Sequence, residues 1–171
     1  KFFRAYDEVW CAGQAQIDRF SNADMRSDGL KFRVVGRPTL RNLITDAEGV
    51  SQTSKFLYLP TWEGFQAEQS YSSVEDSAQF VPLVAKELRA TGVVKFHPWT
   101  GKRMKSLNED EKNLTGIPAG DDWDVQVMER SIPTESLMAE TDFLIADISS
   151  VVSDYLPVDK PIFLFYPQGR A

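Results

Sequence analysis

The densest run of chemically capable residues lies late in the chain. There the apolar stretch 142–147 gives way to Ile148, Ser149 and Ser150 and then to Asp154. Read as a buried strand followed at once by a helix, this stretch places both serines at the helix start, at the carboxyl end of the strand. The first backbone N–H groups of a helix have no intrahelical partner and point outward, so amides and small hydroxyls together can hold an anion. A diphosphate suits such a site. The plain structural alternative is that Ser149 is only an N-cap. Asp154 stands four residues after Ser150, one turn deeper on the same face and about 6 Å along the axis. A carboxylate there can bind the vicinal hydroxyls of a ribose carried by the diphosphate, or it is merely an exposed helix acid.

His97 is the chain's single histidine and follows the apolar run 93–96, directly before Pro98. This puts it at the sheet edge where ligands of parallel α/β folds bind. As a cation it could neutralise a phosphate leaving group; a structural hydrogen bond at the strand end is the competing role. One histidine and one cysteine, far apart, make no metal-ligand set, and no acidic motif has ligand spacing. Gly-rich phosphate loops and a nucleophile elbow are missing as well. Neither a bound metal nor a cofactor is expected.

The elements that position these residues come from alternation of short apolar runs with helical patterns, which predicts a mainly parallel sheet with helices on both faces, a Rossmann-like α/β fold. The runs are 8–12, 32–35, 55–59, 93–96, 142–147 and 161–166, with 123–128 a further candidate strand. Helices are expected over 14–22, within 74–91, over 132–140 with Pro133 in the first turn, and over 149–156. In the second of these, Ala78, Val81, Val84, Ala85 and Leu88 form one apolar face, and Pro82 should kink it or mark its true first turn. Residues 100–122, rich in charges and closing with Gly116, Pro118 and Gly120, read as a long surface excursion. The sheet order is expected to reverse near the strand that ends at His97. The polar stretch 41–54 suits a crossover, dividing the chain near residue 50 into 1–50, the end of an amino-terminal lobe, and 51–171, a nucleotide-binding domain truncated at its carboxyl end.

Three blocks, in order, resemble the carboxyl-terminal domain of the CDP-glycerol glycerophosphotransferases, the enzymes that prime or polymerise teichoic acid chains. They are Phe56 Leu57 Tyr58 Leu59 Pro60 Thr61 Trp62, then Lys95 Phe96 His97 Pro98, then the stretch 142–154 followed by Asp159 Lys160 Pro161 Ile162. Gly36 Arg37 Pro38 is similar to the family's Gly-x-Pro before the crossover. The resemblance implies a GT-B fold, two Rossmann-like domains facing a cleft, of which this chain carries the donor-nucleotide half. It implies that His97 acts on the donor phosphate, that Thr61, Trp62, Lys95, Pro98 and Asp147 line the donor site, and that the acceptor's base belongs to a first domain outside this chain. Departures stand at Ala146 and Ile148, where the family usually has threonine and tyrosine around the aspartate, and at Glu63, where it commonly has arginine.

The functional expectation is transfer of glycerol phosphate from CDP-glycerol to a polyol-phosphate or lipid-linked acceptor in cell-surface polymer synthesis, this fragment alone being inactive. A GT-B glycosyltransferase using a nucleotide-sugar and a non-catalytic Rossmann-like module of a surface-polymer assembly protein are the alternatives. Composition bounds the rest. The 171 residues, 42% hydrophobic, suffice for one core, while a net charge of −6 argues against nucleic acid as a partner. No run approaches the roughly 20 apolar residues of a membrane span. Cys11, within an apolar run, is expected to be a buried reduced thiol. Both chain ends read as cuts in a longer polypeptide, and a cytoplasmic setting, peripheral to the inner face of the membrane, is expected of the parent.

Overall fold

A computed structural model describes residues 6–23, 29–43, 54–66 and 70–166. The chain divides into two units, Lys1–Asn42 and Leu43–Ala171. The expected boundary near residue 50 falls in 44–53, outside the described residues. In the first unit, strand β1 (Glu8–Cys11), helix α1 (Gln14–Asn22) and strand β2 (Lys31–Val34) form a β-α-β unit with the two strands parallel. Arg33 pairs with Glu8 across it at 2.9 Å. Cys11 is a buried free thiol. A 3-10 turn over Pro38–Leu43 follows the Gly36 Arg37 Pro38 break.

The second unit is a five-stranded sheet with every pairing parallel. Its strands are β3 (Lys55–Leu59), β4 (Thr91–Val94), β5 (Asp124–Val127), β6 (Phe143–Ala146) and β7 (Ile162–Leu164), and its spatial order is β5-β4-β3-β6-β7. The chain therefore builds outward from β3 to one edge, then returns to the other side of β3. The reversal lies between β3 and β6, one strand over from the strand that ends at His97. Parallel strands need crossovers, and these bury both faces of the central strand. Phe56, Leu57 and Tyr58 are accordingly fully buried. Gly92 of β4 is required by close packing, because a Cβ there would meet the Phe56 ring at 2.6 Å.

Helix α2 (Val74–Leu88) buries Val74, Ser77, Val81 and Ala85, with Ala78 and Val84 packed partly against the same core. Leu88, expected on that face, is exposed. Pro82 lies inside the helix, not in its first turn. Residues 100–122 are a surface excursion only in part. Helix α3 (Leu107–Thr115) forms within them and sends Leu107 and Leu114 into the core. Two leucines seven residues apart supply its buried stripe, and Glu109 and Asp110 favour its first turn. Helix α4 (Thr134–Met138) begins after Pro133, and helix α5 (Ser150–Tyr155) follows Ser149 and runs into a 3-10 turn over Leu156–Val158.

Candidate functional site

At the carboxyl ends of β3, β4 and β6 a cleft of about 330 Å³ opens beside the reversal of strand order. Loops after adjacent strands that run to opposite sides must separate at that point, which is why such sheets carry a crevice there. Seven of the residues singled out from sequence line it: Thr61, Trp62, Lys95, His97, Pro98, Ser149 and Ser150. Ile148 and Thr134 join them, the latter opening α4 behind Pro133. Ile148 was marked from sequence as a departure from the family pattern; Thr134 was not foreseen, although Pro133 as the entry to a short helix was a legible sign of a second helix start nearby.

Ser149 occupies the N-cap position in extended conformation, yet its side chain makes no capping hydrogen bond. The hydroxyl is thus not spent on closing the helix. Helix α5 is only six residues long, so its dipole is small, and the groups at its start able to bond an anion are the serine hydroxyls and backbone amides. Lys95 adds a cation. It is 6% exposed, and burial lowers its pKa, with Glu135 opposing the shift.

His97 is held on two sides. Its Nδ1 accepts the Trp99 backbone N–H at 3.1 Å, and its ring stacks on Trp62 with centroids 6.1 Å apart. Burial lowers its pKa and neighbouring Lys95 lowers it further, Glu63 acting the other way. With Nδ1 occupied as an acceptor, the resting side chain is neutral with its proton on Nε2.

Asp147 and Asp154 do not line the cleft. Asp154 is half-buried on α5, one turn below Ser150. Asp147 is fully buried beneath the floor, where Oδ2 accepts the backbone N–H groups of Thr61 at 2.7 Å and Ser73 at 3.1 Å. It ties the loop after β3 and the start of α2 to the end of β6. Burial raises its pKa from 3.8 to about 6, against the bonds from Ser73 and Thr61. The same surroundings hold the Tyr58 hydroxyl well above its ordinary pKa, burial leading and Asp147 adding to it, while that hydroxyl shares a 2.7 Å bond with Ser73.

Glu63 proves to be a structural group. Its buried carboxylate accepts backbone N–H bonds from Gly101 at 3.1 Å, Arg103 at 2.7 Å and Met104 at 3.0 Å. Burial opposes ionisation, but these backbone bonds outweigh it and the pKa is lowered. A glutamate can accept a nest of amides, which an arginine at this position cannot. Among the described residues no group of three or more His, Cys, Asp or Glu side chains comes together as a metal site, and no helix is long and apolar enough to cross a membrane.

Residues 36–169 match the family of CDP-glycerol:poly(glycerophosphate) glycerophosphotransferases. The chain belongs to this family. The second unit has the Rossmann-like fold, half of a GT-B fold, that the sequence blocks implied. Solved structures agree on the fold. The UDP-GlcNAc 2-epimerase of Methanocaldococcus jannaschii in complex with UDP-GlcNAc and UDP is similar with a TM-score of 0.58 at 11% identity. A second structure of that epimerase gives 0.54 at 14%. Both are matched over 94% of this chain and 46% of their own, so this glycerophosphotransferase-family chain spans under half the length of the structures it resembles. No curated protein matches the sequence significantly.

Proposed function

We propose that the cleft holds the diphosphate of CDP-glycerol and that the parent enzyme transfers glycerol phosphate to a polyol-phosphate or lipid-linked acceptor. The observation that carries this reading is the convergence of Lys95, His97, Ser149 and Ser150, from two separate segments, on one crevice in a chain of this family. An acceptor hydroxyl attacks the glycerol-bearing phosphorus. The new P–O bond forms as the bridging P–O bond of the diphosphate breaks, and the electron pair leaves with CMP. The acceptor proton goes to a base in the other GT-B half, the part expected outside this chain. The work of this domain is to place the donor and stabilise charge on the leaving phosphate. His97 donates from Nε2 to a leaving oxygen, and an anionic phosphate beside it favours a full imidazolium, which raises its pKa from the depressed resting value. Lys95 offsets the remaining charge. Asp154 lies outside the cleft lining, one turn along α5 from Ser150, so it meets the ribose hydroxyls only where the nucleoside extends past the cleft along that helix. Teichoic acid synthesis at the inner membrane face is the setting this chemistry suits.

Calorimetry with CMP and CDP tests the proposal. Ser150→Ala should weaken binding by about 1 to 2 kcal/mol, the scale of a hydrogen bond to a charged group. Unchanged affinity would leave the serine pair as a helix start and nothing more. Stronger thermal stabilisation by a nucleotide-sugar than by CDP-glycerol would favour sugar transfer instead.

A further inference from the structure

Beside the cleft, on its β4 side, three large aromatic rings meet at the surface. Trp62 packs edge-on against Phe65 at 4.8 Å and against Trp99 at 5.2 Å, and Phe65 and Trp99 lie 5.9 Å apart. Phe65 is 71% exposed and Trp99 44%. Interlocked aromatics are normally buried, and a contiguous exposed group beside a crevice marks a binding surface. This one is also charged. Lys102 Nζ sits 4.2 Å above the Trp99 ring, which preorganises a cation over an aromatic face. Arg103 and Lys105 are exposed on the same loop. The acids that follow are directed elsewhere: Glu109 pairs with Lys112, Glu111 with Arg130, and Asp110 lies towards Glu75 of α2.

The surface is built firmly. The three amides held by Glu63 fix the backbone around Lys102, and the Arg103 guanidinium returns to the Glu63 and Gly64 carbonyls at 2.9 and 3.0 Å. Its placement relative to the donor narrows the occupant. Ser149, Ser150 and Asp154 follow β6, whereas Trp99 and Lys102 follow β4, on the far side of β3. The nucleoside expected along α5 therefore leads away from the aromatic rings, and His97 and Trp62, at the phosphate end, adjoin them.

We infer that Phe65, Trp99 and Lys102 form a ledge that binds the acceptor, a polyol chain joined by phosphodiesters, presenting its end to the cleft. Ring faces cover the C–H groups of the polyol and Lys102 meets a phosphodiester. The repeating polyanion named by the family's description needs such a local cation on a chain whose net charge is −6. The inference rests on the donor reading above, and its test separates the two.

The test titrates the 171-residue chain with a synthetic linear oligomer of glycerol phosphodiesters, following tryptophan fluorescence, with inorganic polyphosphate as a charge-only control. The oligomer should bind with CMP present. Phe65→Ser and Lys102→Glu should each weaken it at least about tenfold while CMP affinity stays unchanged, and Ser150→Ala should do the reverse. Equal binding of polyphosphate, with no effect of Phe65→Ser, would overturn the ledge as a polyol site. Loss of CMP affinity in the ledge variants would make it a nucleobase platform. Ledge-dependent binding to vesicles of anionic lipid without oligomer binding would make it a membrane contact. A Ser150→Ala variant with normal CMP affinity would sink the donor reading independently of the oligomer result.

Discussion

His97 and Asp147 are both shifted by burial, and their shifts have opposite consequences. At His97 burial and Lys95 favour the neutral ring, and the Trp99 amide fixes which nitrogen carries the proton. Two variants separate its roles in the proposed two-domain parent. His97→Asn keeps an acceptor near Nδ1 but removes the Nε2 donor, so turnover should fall about 100-fold with the melting temperature and nucleotide affinity nearly unchanged. His97→Ala should add a stability loss of about 1 kcal/mol by orphaning the Trp99 amide. If both variants are destabilised and still active, His97 is structural.

Asp147 has a folded pKa of about 6 against an ordinary 3.8. A carboxyl raised on folding supports the fold fully only below its unfolded pKa, and that support is lost as pH rises through about 6. Between pH 4.5 and 7.5 the group should cost the native state about 2 kcal/mol, since each pKa unit is worth about 1.4 kcal/mol. Asp147→Asn abolishes this dependence, because an amide accepts the Thr61 and Ser73 amides without titrating. Urea denaturation of both proteins at the two pH values measures it. Parallel stability profiles would show that the carboxyl does not titrate in this range.

At the scale of elements, the loop between β4 and α3 owes its shape to a residue in a different loop. Glu63 satisfies three amides that would otherwise be buried without partners, so Glu63→Ala should destabilise the domain by about 3 kcal/mol or more. Glu63→Gln should cost less, its carbonyl oxygen still accepting from Arg103 and Met104. Chemical denaturation compares the two. Equal and small losses would mean that water takes over the amides and that the loop is held by Arg103 and its contacts alone.

For the molecule as a whole, the second unit contains its own parallel sheet and its own hydrophobic core. A fragment starting at Leu43 should therefore unfold cooperatively, with a melting temperature within a few degrees of the 171-residue chain, and should keep its CMP affinity. Broad, non-cooperative melting of the fragment in calorimetry would show that the first unit is needed to complete the core.

Strand and helix positions in the second unit were legible because each carries its pattern locally. Lys55–Leu59 reads as a buried strand from its composition alone, and the serine pair marks the start of α5. The three sequence blocks sufficed for the family, since they name loops at one edge of one sheet. Helix α3 was hidden, because its eight-residue span from Leu107 to Leu114 has only two leucines among charges, and whether such a stripe is buried depends on what packs over it. The same holds for function at single residues. Sequence placed Asp147 among the site residues but could not show that its carboxylate faces inward to the Thr61 and Ser73 amides, and it marked Glu63 as a departure without revealing the amides it accepts. Neither could the tautomer of His97 be read, nor the meeting of Phe65, Trp99 and Lys102. Local patterning is written along the chain, whereas hydrogen-bond partners, burial and the pKa values that follow from them are set by segments distant in sequence, and only the folded sheet brings those together.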